Sequence, residues 1–435
     1  MSKLHALTAL VALAASSPAS AQNSPDVEVF GQFAHNYAGS LGCKAFDMAY
    51  SADGHLVVAF GEDRPGGGSD RLIVAEYDPA TQLWLKLCDQ SLGLDEIVGL
   101  ELAVPPVKFG DSLRDQWYVA ASLYQGPVSA GAAPANYVAL YTGKLAKKWG
   151  PIVCFFQNLP PTINTSVEVH PTLALTPTKP GDWSSYAVDV FACWGESPVG
   201  THGTIWRATS LDYGRWFAHD QRVAGPQGTM VGLDGKTLDS GVFGHPSAYG
   251  DEHNAVTLLA FEDPSTGIVR VGSSSLGGTF TEIFATKADG RTEFAPTIVS
   301  YENDVNFTCR TEFGALSGPS GLTWYVGTPF GLFHEMQPLH GLVETAADLG
   351  AYESDAYISV IAYPDQTGAP RAYALEGDRD DTTATLPSVQ VSDAGKAWGP
   401  PRVAVTPDGV QPFRRSYGWT NYLASGQKLG VWIDL

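Results

Sequence analysis

Cations are scarce in this chain: Lys and Arg number 26 against 46 Asp and Glu, for a formal net charge of -20. Nucleic-acid binding needs clustered cations to neutralise phosphates, so that class of partner is excluded. A small anionic ligand stays open, because a few local cations dominate the field inside a pocket. Long apolar runs are missing as well. No segment beyond the N-terminal leader reaches the roughly 18 consecutive apolar residues that span a bilayer, so membrane insertion is not expected. Cysteines are few and odd in number (Cys43, Cys88, Cys154, Cys193 and Cys309), which leaves at least one thiol without a partner in the chain. No CxxC pair is present, and a zinc ribbon goes with it. Cys43 with Cys88 and Cys154 with Cys193 are spacings that an oxidising compartment would let bridge, although spacing alone does not establish either pair. The absence of HExxH, GxSxG and P-loop strings removes zincin, α/β-hydrolase and nucleotide-phosphate chemistry. No cofactor or metal is called for; the acidic run Gly377–Thr383 reads as solvated surface before it reads as a calcium loop.

What is present begins with an export leader. Lys3, an apolar run from Leu7 to Ala15 and the small-residue end Ala19, Ser20, Ala21 predict a signal peptide over 1–21, cleaved before Gln22. The protein is then secreted or periplasmic, and residues 22–435 form the mature chain. Gly 47, Pro 29 and 11% aromatic residues predict many short strands separated by turns, and no long helical period competes with them.

Those strands recur in units of four. The first reads "AFDMAYS", "HLVVAFGE", "RLIVAEYD" and "LWLKLC"; a later one reads "HPSAYG", "AVTLLAFED", "IVRVGSSS" and "TFTEIFA". Units start near residues 44, 97, 164, 240, 291 and 350, and the remainder "SYGWTNYLAS" with "KLGVWIDL" follows. Repetition of four-stranded units predicts a single all-β domain, a β-propeller. Seven blades are counted, six if one unit is an elaboration, with the ring closed by the C-terminal strands and the N-terminal "DVEVFGQFA".

Turns between the third and fourth strands share a pattern. "SLDYGRWF" (Ser210–Phe217) fits S-x-D-x-G-x-x-W/F, while "SSSLGGTF" (Ser273–Phe280) and "VSDAGKAW" (Val391–Trp398) keep parts of it. A short polar side chain caps such a turn, glycine supplies positive φ, and the aromatic packs between sheets. These are Asp-box, or BNR, turns, and their role is structural. With the propeller pattern they make the chain resemble the sialidase superfamily.

That resemblance implies a site. Counting back from the Asp53–Gly54 turn, the family's first-blade arginine falls on Lys44, and "LVVAFGEDRPGGGSD" brings Asp70 near the place of the acid/base, with Arg64 beside it. "EFAPTIVSYENDVNFTCR" offers Glu293 and Arg310, "ISVIAYPDQTGAPR" offers Arg371, and "SYGW" offers Tyr417. Lys44, Arg64, Arg310 and Arg371 would hold an acidic sugar's carboxylate. Tyr417, made basic by Glu293, would be the nucleophile, and Asp70 would protonate the leaving oxygen. The match departs from the family at Lys44, where arginine's bidentate geometry is lost, and at Gly418, where serine is expected.

Two other classes stand beside the hydrolase. His170 and His245 precede proline at the same place in two blades, and histidine with tyrosine and a cation is the kit of a polysaccharide lyase acting on uronates, as in ulvan lyases. A non-catalytic glycan-binding propeller is the third class, since fold alone does not choose among functions. In all three the expected partner is a glycan; nothing fixes the oligomeric state.

Overall fold

In the computed structural model the described residues lie within 42–433, apart from 64–69, 126–134, 146–154, 159–170, 195–202, 314–320, 337–343, 353–356, 365–370, 377–387, 391–396 and some isolated positions. They form strands joined by turns. Sheet one holds β1 (Gly42–Tyr50), β2 (Leu56–Asp63), β3 (Arg71–Asp78) and β4 (Leu83–Ser91); sheet two holds β5 (Asp95–Ala103), β6 (Gln116–Gln125), β7 (Ala135–Lys144) and β8 (Phe155–Asn158). Sheet three comprises β9 (Pro171–Lys179), β10 (Asp182–Trp194), β11 (Thr204–Ser210) and β12 (His219–Ala224). Sheet four comprises β13 (Gly244–Asp251), β14 (Val256–Asp263), β15 (Ile268–Ser275) and β16 (Thr281–Ala285). Sheet five has β17 (Arg291–Tyr301), β18 (Asp304–Phe313), β19 (Gly321–Thr328) and β20 (Gly331–Glu335). Sheet six has β21 (Glu344–Tyr352), β22 (Tyr357–Pro364), β23 (Arg371–Glu376) and β24 (Ser388–Gln390). The last sheet has three described strands, β25 (Ala397–Val405), β26 (Arg415–Leu423) and β27 (Gly426–Ile433).

Every sheet is an antiparallel meander, and the first strand of each packs beside the first strand of the next, with β25 returning to β1. This is the expected β-propeller. The segment "DVEVFGQFA", expected to help close the ring, lies outside the described residues, as does the leader. The third strand of the last sheet, Ala397–Val405, was not anticipated. Pro400 and Pro401 argue against a strand, but a register shift between Trp398 and Arg402 takes up the pair as a bulge.

The apolar runs are explained by burial on both faces. Along β2, Leu56, Val58 and Phe60 pack with β1 and with Ala404 of the last sheet, while Val57 and Ala59 pack against Ile97, Leu100 and Trp117 of sheet two. Alternate side chains of one strand therefore fill two different inter-blade cores, and a half-exposed alternation never develops. Between sheets three and four the core contains an ion pair. Arg207 and Asp189 are buried and meet through two hydrogen bonds of 2.9 Å, and Asp189 also accepts from Thr257 at 2.7 Å. A buried pair left half-satisfied would be destabilising; this one is fully partnered.

The turn at Ser210–Phe217 is held by its own polar atoms. Gly214 N donates to Ser210 Oγ at 2.9 Å, Trp216 N donates to Asp212 Oδ1 at 2.8 Å, and Gly214 sits at φ 78°. Inner strands also come close enough to require glycine: a Cβ on Gly250 would fall 1.8 Å from the carbonyl oxygen of Leu175.

The cysteine expectation is corrected in one place. Cys193 is a free, buried thiol whose Sγ lies 3.2 Å from the Phe243 carbonyl, so it forms no bridge to Cys154. Burial pushes its thiol up to about 12. Cys309 is likewise free and buried, and Cys88 is disulfide-bonded.

Candidate active site in the central cavity

The inner strands enclose a cavity of about 750 Å³, lined by residues from all seven sheets. Its polar chemistry comes from one position repeated around the ring. Each inner strand carries a polar residue between two apolar or proline residues: Phe46-Asp47-Met48, Leu100-Glu101-Leu102, Pro171-Thr172-Leu173, Pro246-Ser247-Ala248, Pro296-Thr297-Ile298, Ala347-Asp348-Leu349 and Pro401-Arg402-Val403. All seven central residues pair with the second strand of their own sheet just past its inner-edge entry, and in five sheets a bulge immediately precedes them. The bulge re-aims the side chain across the blade gap.

What these side chains do is shared. Each reaches toward the backbone of the following blade. Leu102 N donates to Asp47 Oδ2 at 2.6 Å, Leu173 N to Glu101 Oε1 at 3.0 Å, and Ala248 N to Thr172 Oγ1 at 3.0 Å. Ile298 N donates to Ser247 Oγ at 3.2 Å, and Val403 N to Asp348 Oδ2 at 2.7 Å. In every case the donor is the residue just after the neighbour's own ring residue. The layer staples blade to blade with otherwise orphaned inner-strand N–H groups.

Three of the seven are carboxyls and one is a guanidinium, and these four are contiguous around the ring: Asp348, Arg402, Asp47, Glu101. Arg402 Nε lies 3.1 Å from Asp47 Oδ1. Burial raises the Asp47 carboxyl above its ordinary value, opposed by the charge of Arg402 and by the Leu102 N–H. Glu101 is pushed up to about 8, first by burial and then by the negative charge of Asp47. Its Oε1 takes both the Leu173 N–H and the Thr172 hydroxyl, the latter at 2.8 Å, which leaves Oε2 as the oxygen to carry a proton. Asp348 is raised to about 6 by burial, with Arg402 opposing and Asp47 adding to the shift. At neutral pH one carboxyl of the arc is a proton donor while a neighbour is ionised.

One end of the cavity, at the start of the inner strands, holds His245 and Arg310. His245 Nδ1 is 2.7 Å from Glu262 Oε1, and Glu262 Oε2 accepts from Ala295 N at 3.0 Å. His245 and Ala295 both precede proline and both have positive φ, 43° and 47°. That backbone conformation is strained for a side-chain-bearing residue. The Arg310 guanidinium lies over the Phe294 ring, 5.0 Å from its centroid, and its Nη2 donates to Glu312 at 3.2 Å.

The residues expected from the sequence are not gathered in one place. Arg310 and His245 line the cavity; Asp70, Glu293 and Tyr417 do not. Asp70 is fully buried and accepts from Ile97 N at 2.9 Å, tying sheet one to sheet two. Glu293 is buried on β17, accepts from the Tyr325 hydroxyl at 2.7 Å, and has its carboxyl raised by burial. Tyr417 is buried on β26 opposite Val403 and Trp432. Lys44 and Arg371 lie on β1 and β23, but their side chains are outside the described set; Arg64 and His170 lie outside the described residues altogether. The carboxyls Asp47, Glu101 and Asp348 were missed. Their signal was in the sequence as a polar residue at one offset in every inner strand, visible only when the strands are aligned on that offset.

No protein-family model matches the chain, and no curated protein matches it. Solved structures do. An α-L-arabinofuranosidase of Fusarium graminearum, solved with an iminosugar inhibitor, is 7% identical over 91% of this chain and 97% of that one, with a TM-score of 0.50. An α-L-arabinanase of Penicillium chrysogenum, complexed with arabinobiose, is 8% identical over 95% and 96% of the two chains, at 0.49. The NanB sialidase of Streptococcus pneumoniae is 10% identical over 91% of this chain and 68% of that one, at 0.46. What the chain shares with these glycoside hydrolases is the β-propeller fold.

Proposed function

We propose that the protein is a glycan-processing propeller, a glycoside hydrolase whose reaction takes place in the central cavity. The observation that supports this most is the pair of unlike carboxyls in one arc, Glu101 with its proton and Asp348 without one. Glycoside hydrolysis needs both: an acid to protonate the departing oxygen and a carboxylate to act as base or nucleophile while the sugar becomes cationic. Glu101 is the acid, Asp348 the carboxylate, and Asp47 a fixed negative charge facing the oxocarbenium-like centre. Arg310 at the rim suits an acidic glycan through charge-assisted hydrogen bonds. An exported protein, as the leader over 1–21 implies, would meet such glycans outside the cell.

The experiment is a panel of fluorogenic glycosides, sialosides and arabinofuranosides included, assayed across pH. Hydrolysis should follow a bell, rising through about 6 as Asp348 ionises and falling through about 8 as Glu101 loses its proton. A panel without turnover at any pH would remove the hydrolase.

The His245–Glu262 contact favours a second reading, a lyase in which His245 abstracts the proton beside a uronate carboxylate held by Arg310. Growth of ultraviolet absorbance from unsaturated uronates, lost in His245→Asn, would support it; polysaccharide incubated without that absorbance would count against it.

A further inference from the structure

Six of the seven ring positions bear an oxygen, and the five staples described above all end on one: the carboxyls Asp47, Glu101 and Asp348 and the hydroxyls Thr172 and Ser247. Arg402 breaks the series, since a guanidinium has five donors and no acceptor. It cannot receive the first blade's N–H as its counterparts receive theirs. It meets the first blade through charge instead, Nε to Asp47 Oδ1 at 3.1 Å. On its other side Val403, the residue after it, donates to Asp348 Oδ2. The guanidinium thus stands between two carboxyls that come from the blades before and after its own.

We propose that Arg402 is the positioning residue of the central site: as the one cation among the seven ring positions, it decides which of the three carboxyls carry charge. The groups that face it from the neighbouring elements are Asp348 on β21, Asp47 on β1 and, beyond Asp47, Glu101 on β5. Attraction to Arg402 opposes the burial of Asp47 and of Asp348 and favours their ionised forms. The negative charge kept on Asp47 in turn favours a proton on Glu101, the next carboxyl around the arc. The order charged, charged, protonated is then a consequence of one guanidinium, with backbone N–H groups holding the carboxyl oxygens still. Arginine suits the position because it stays protonated in any environment a protein offers.

The inference rests on the hydrolase reading only for its purpose; its test needs no substrate. Protein labelled with ¹³C at the Asp and Glu carboxyls is titrated by NMR, with Asp47→Asn, Glu101→Gln and Asp348→Asn used for assignment. Arg402→Gln removes the charge and supplies an acceptor oxygen of the kind the other positions use; Arg402→Lys keeps a charge. In Arg402→Gln the Asp348 midpoint is expected to rise by about one pH unit or more, a tenfold change in proton affinity, while Arg402→Lys stays within about half a unit of the parent. Unmoved midpoints in a folded Arg402→Gln protein would overturn the proposal. So would equal shifts in both variants, since geometry and not charge would then be at work. Failure of Arg402→Gln to fold, with or without Arg402→Lys, would make the residue a structural clamp and overturn it as well. A protein that hydrolyses no glycoside but shows the shift sinks the hydrolase alone; one that hydrolyses with unmoved carboxyls sinks the role of Arg402 alone.

Discussion

The ring layer has two arcs. In one, Thr172, Ser247 and Thr297 line up on β9, β13 and β17; in the other, Asp348, Arg402, Asp47 and Glu101 occupy the same offset on β21, β25, β1 and β5. Thr172 and Ser247 accept a neighbouring N–H as the carboxyls do, at 3.0 and 3.2 Å against 2.6 to 3.0 Å. Stapling therefore needs only an oxygen, and a hydroxyl supplies one without burying charge. Carboxyls at these positions carry a desolvation penalty that hydroxyls avoid, seen in Glu101 at about 8 and Asp348 at about 6. The fold explains why the position is polar; it does not explain why half of it is ionisable. Chemistry in the cavity does.

Three changes break or sharpen that contrast. Glu101→Gln keeps the Leu173 N–H partner and removes the proton donor, so turnover of any glycoside the parent cleaves should fall by about 10²- to 10⁴-fold with the melting temperature little changed. Steady-state rates beside a thermal melt check both halves of that statement.

The next effect is on stability. Glu101 and Asp348 are raised above their unfolded values, so the stability they confer is full below about 4 and drains away as pH climbs through about 6 and about 8. Denaturation midpoints measured between pH 5 and pH 8.5 should decline across that window, and Glu101→Gln should flatten the upper part of the decline. Constant midpoints would mean that the carboxyls titrate as if in water. Ser247→Asp carries the same logic into the hydroxyl arc: a parent-like midpoint at pH 5 and a lower one at pH 8.

The smallest effect belongs to a lone staple. Ser247→Ala leaves Ile298 N without its acceptor and should cost about 1 kcal/mol in chemical denaturation, independent of pH. A pH-dependent loss there would show that the two arcs are not electrically distinct.

Much of this architecture was legible. Strings such as "LVVAF" and "AVTLLAFED" announce strands buried on both faces, and Asp-Gly or Ser-x-Asp-x-Gly turns punctuate them. Ala397–Val405 was not legible, because Pro400 and Pro401 argue locally against a strand and the bulge that accommodates them is set by the neighbouring sheets. The site was harder. Asp47 in "AFDMAY" or Glu101 in "GLELAV" looks like ordinary alternation within one strand; only the closure of the ring brings the two beside Asp348 and Arg402. Asp70 and Glu293 attracted notice as carboxylates at strand ends. Asp70 is occupied by Ile97 N, and Glu293 by Tyr325. Burial at a blade junction and exposure at the axis leave the same mark in a sequence.

The most direct measurement compares leaving groups. With Glu101 as proton donor, Glu101→Gln should still cleave a dinitrophenyl glycoside, whose leaving group departs without help, and should fail on the matching alkyl glycoside that the parent cleaves. Equal losses on both, or no loss on either, would contradict the assignment of Glu101 and with it the central cavity as the place of reaction.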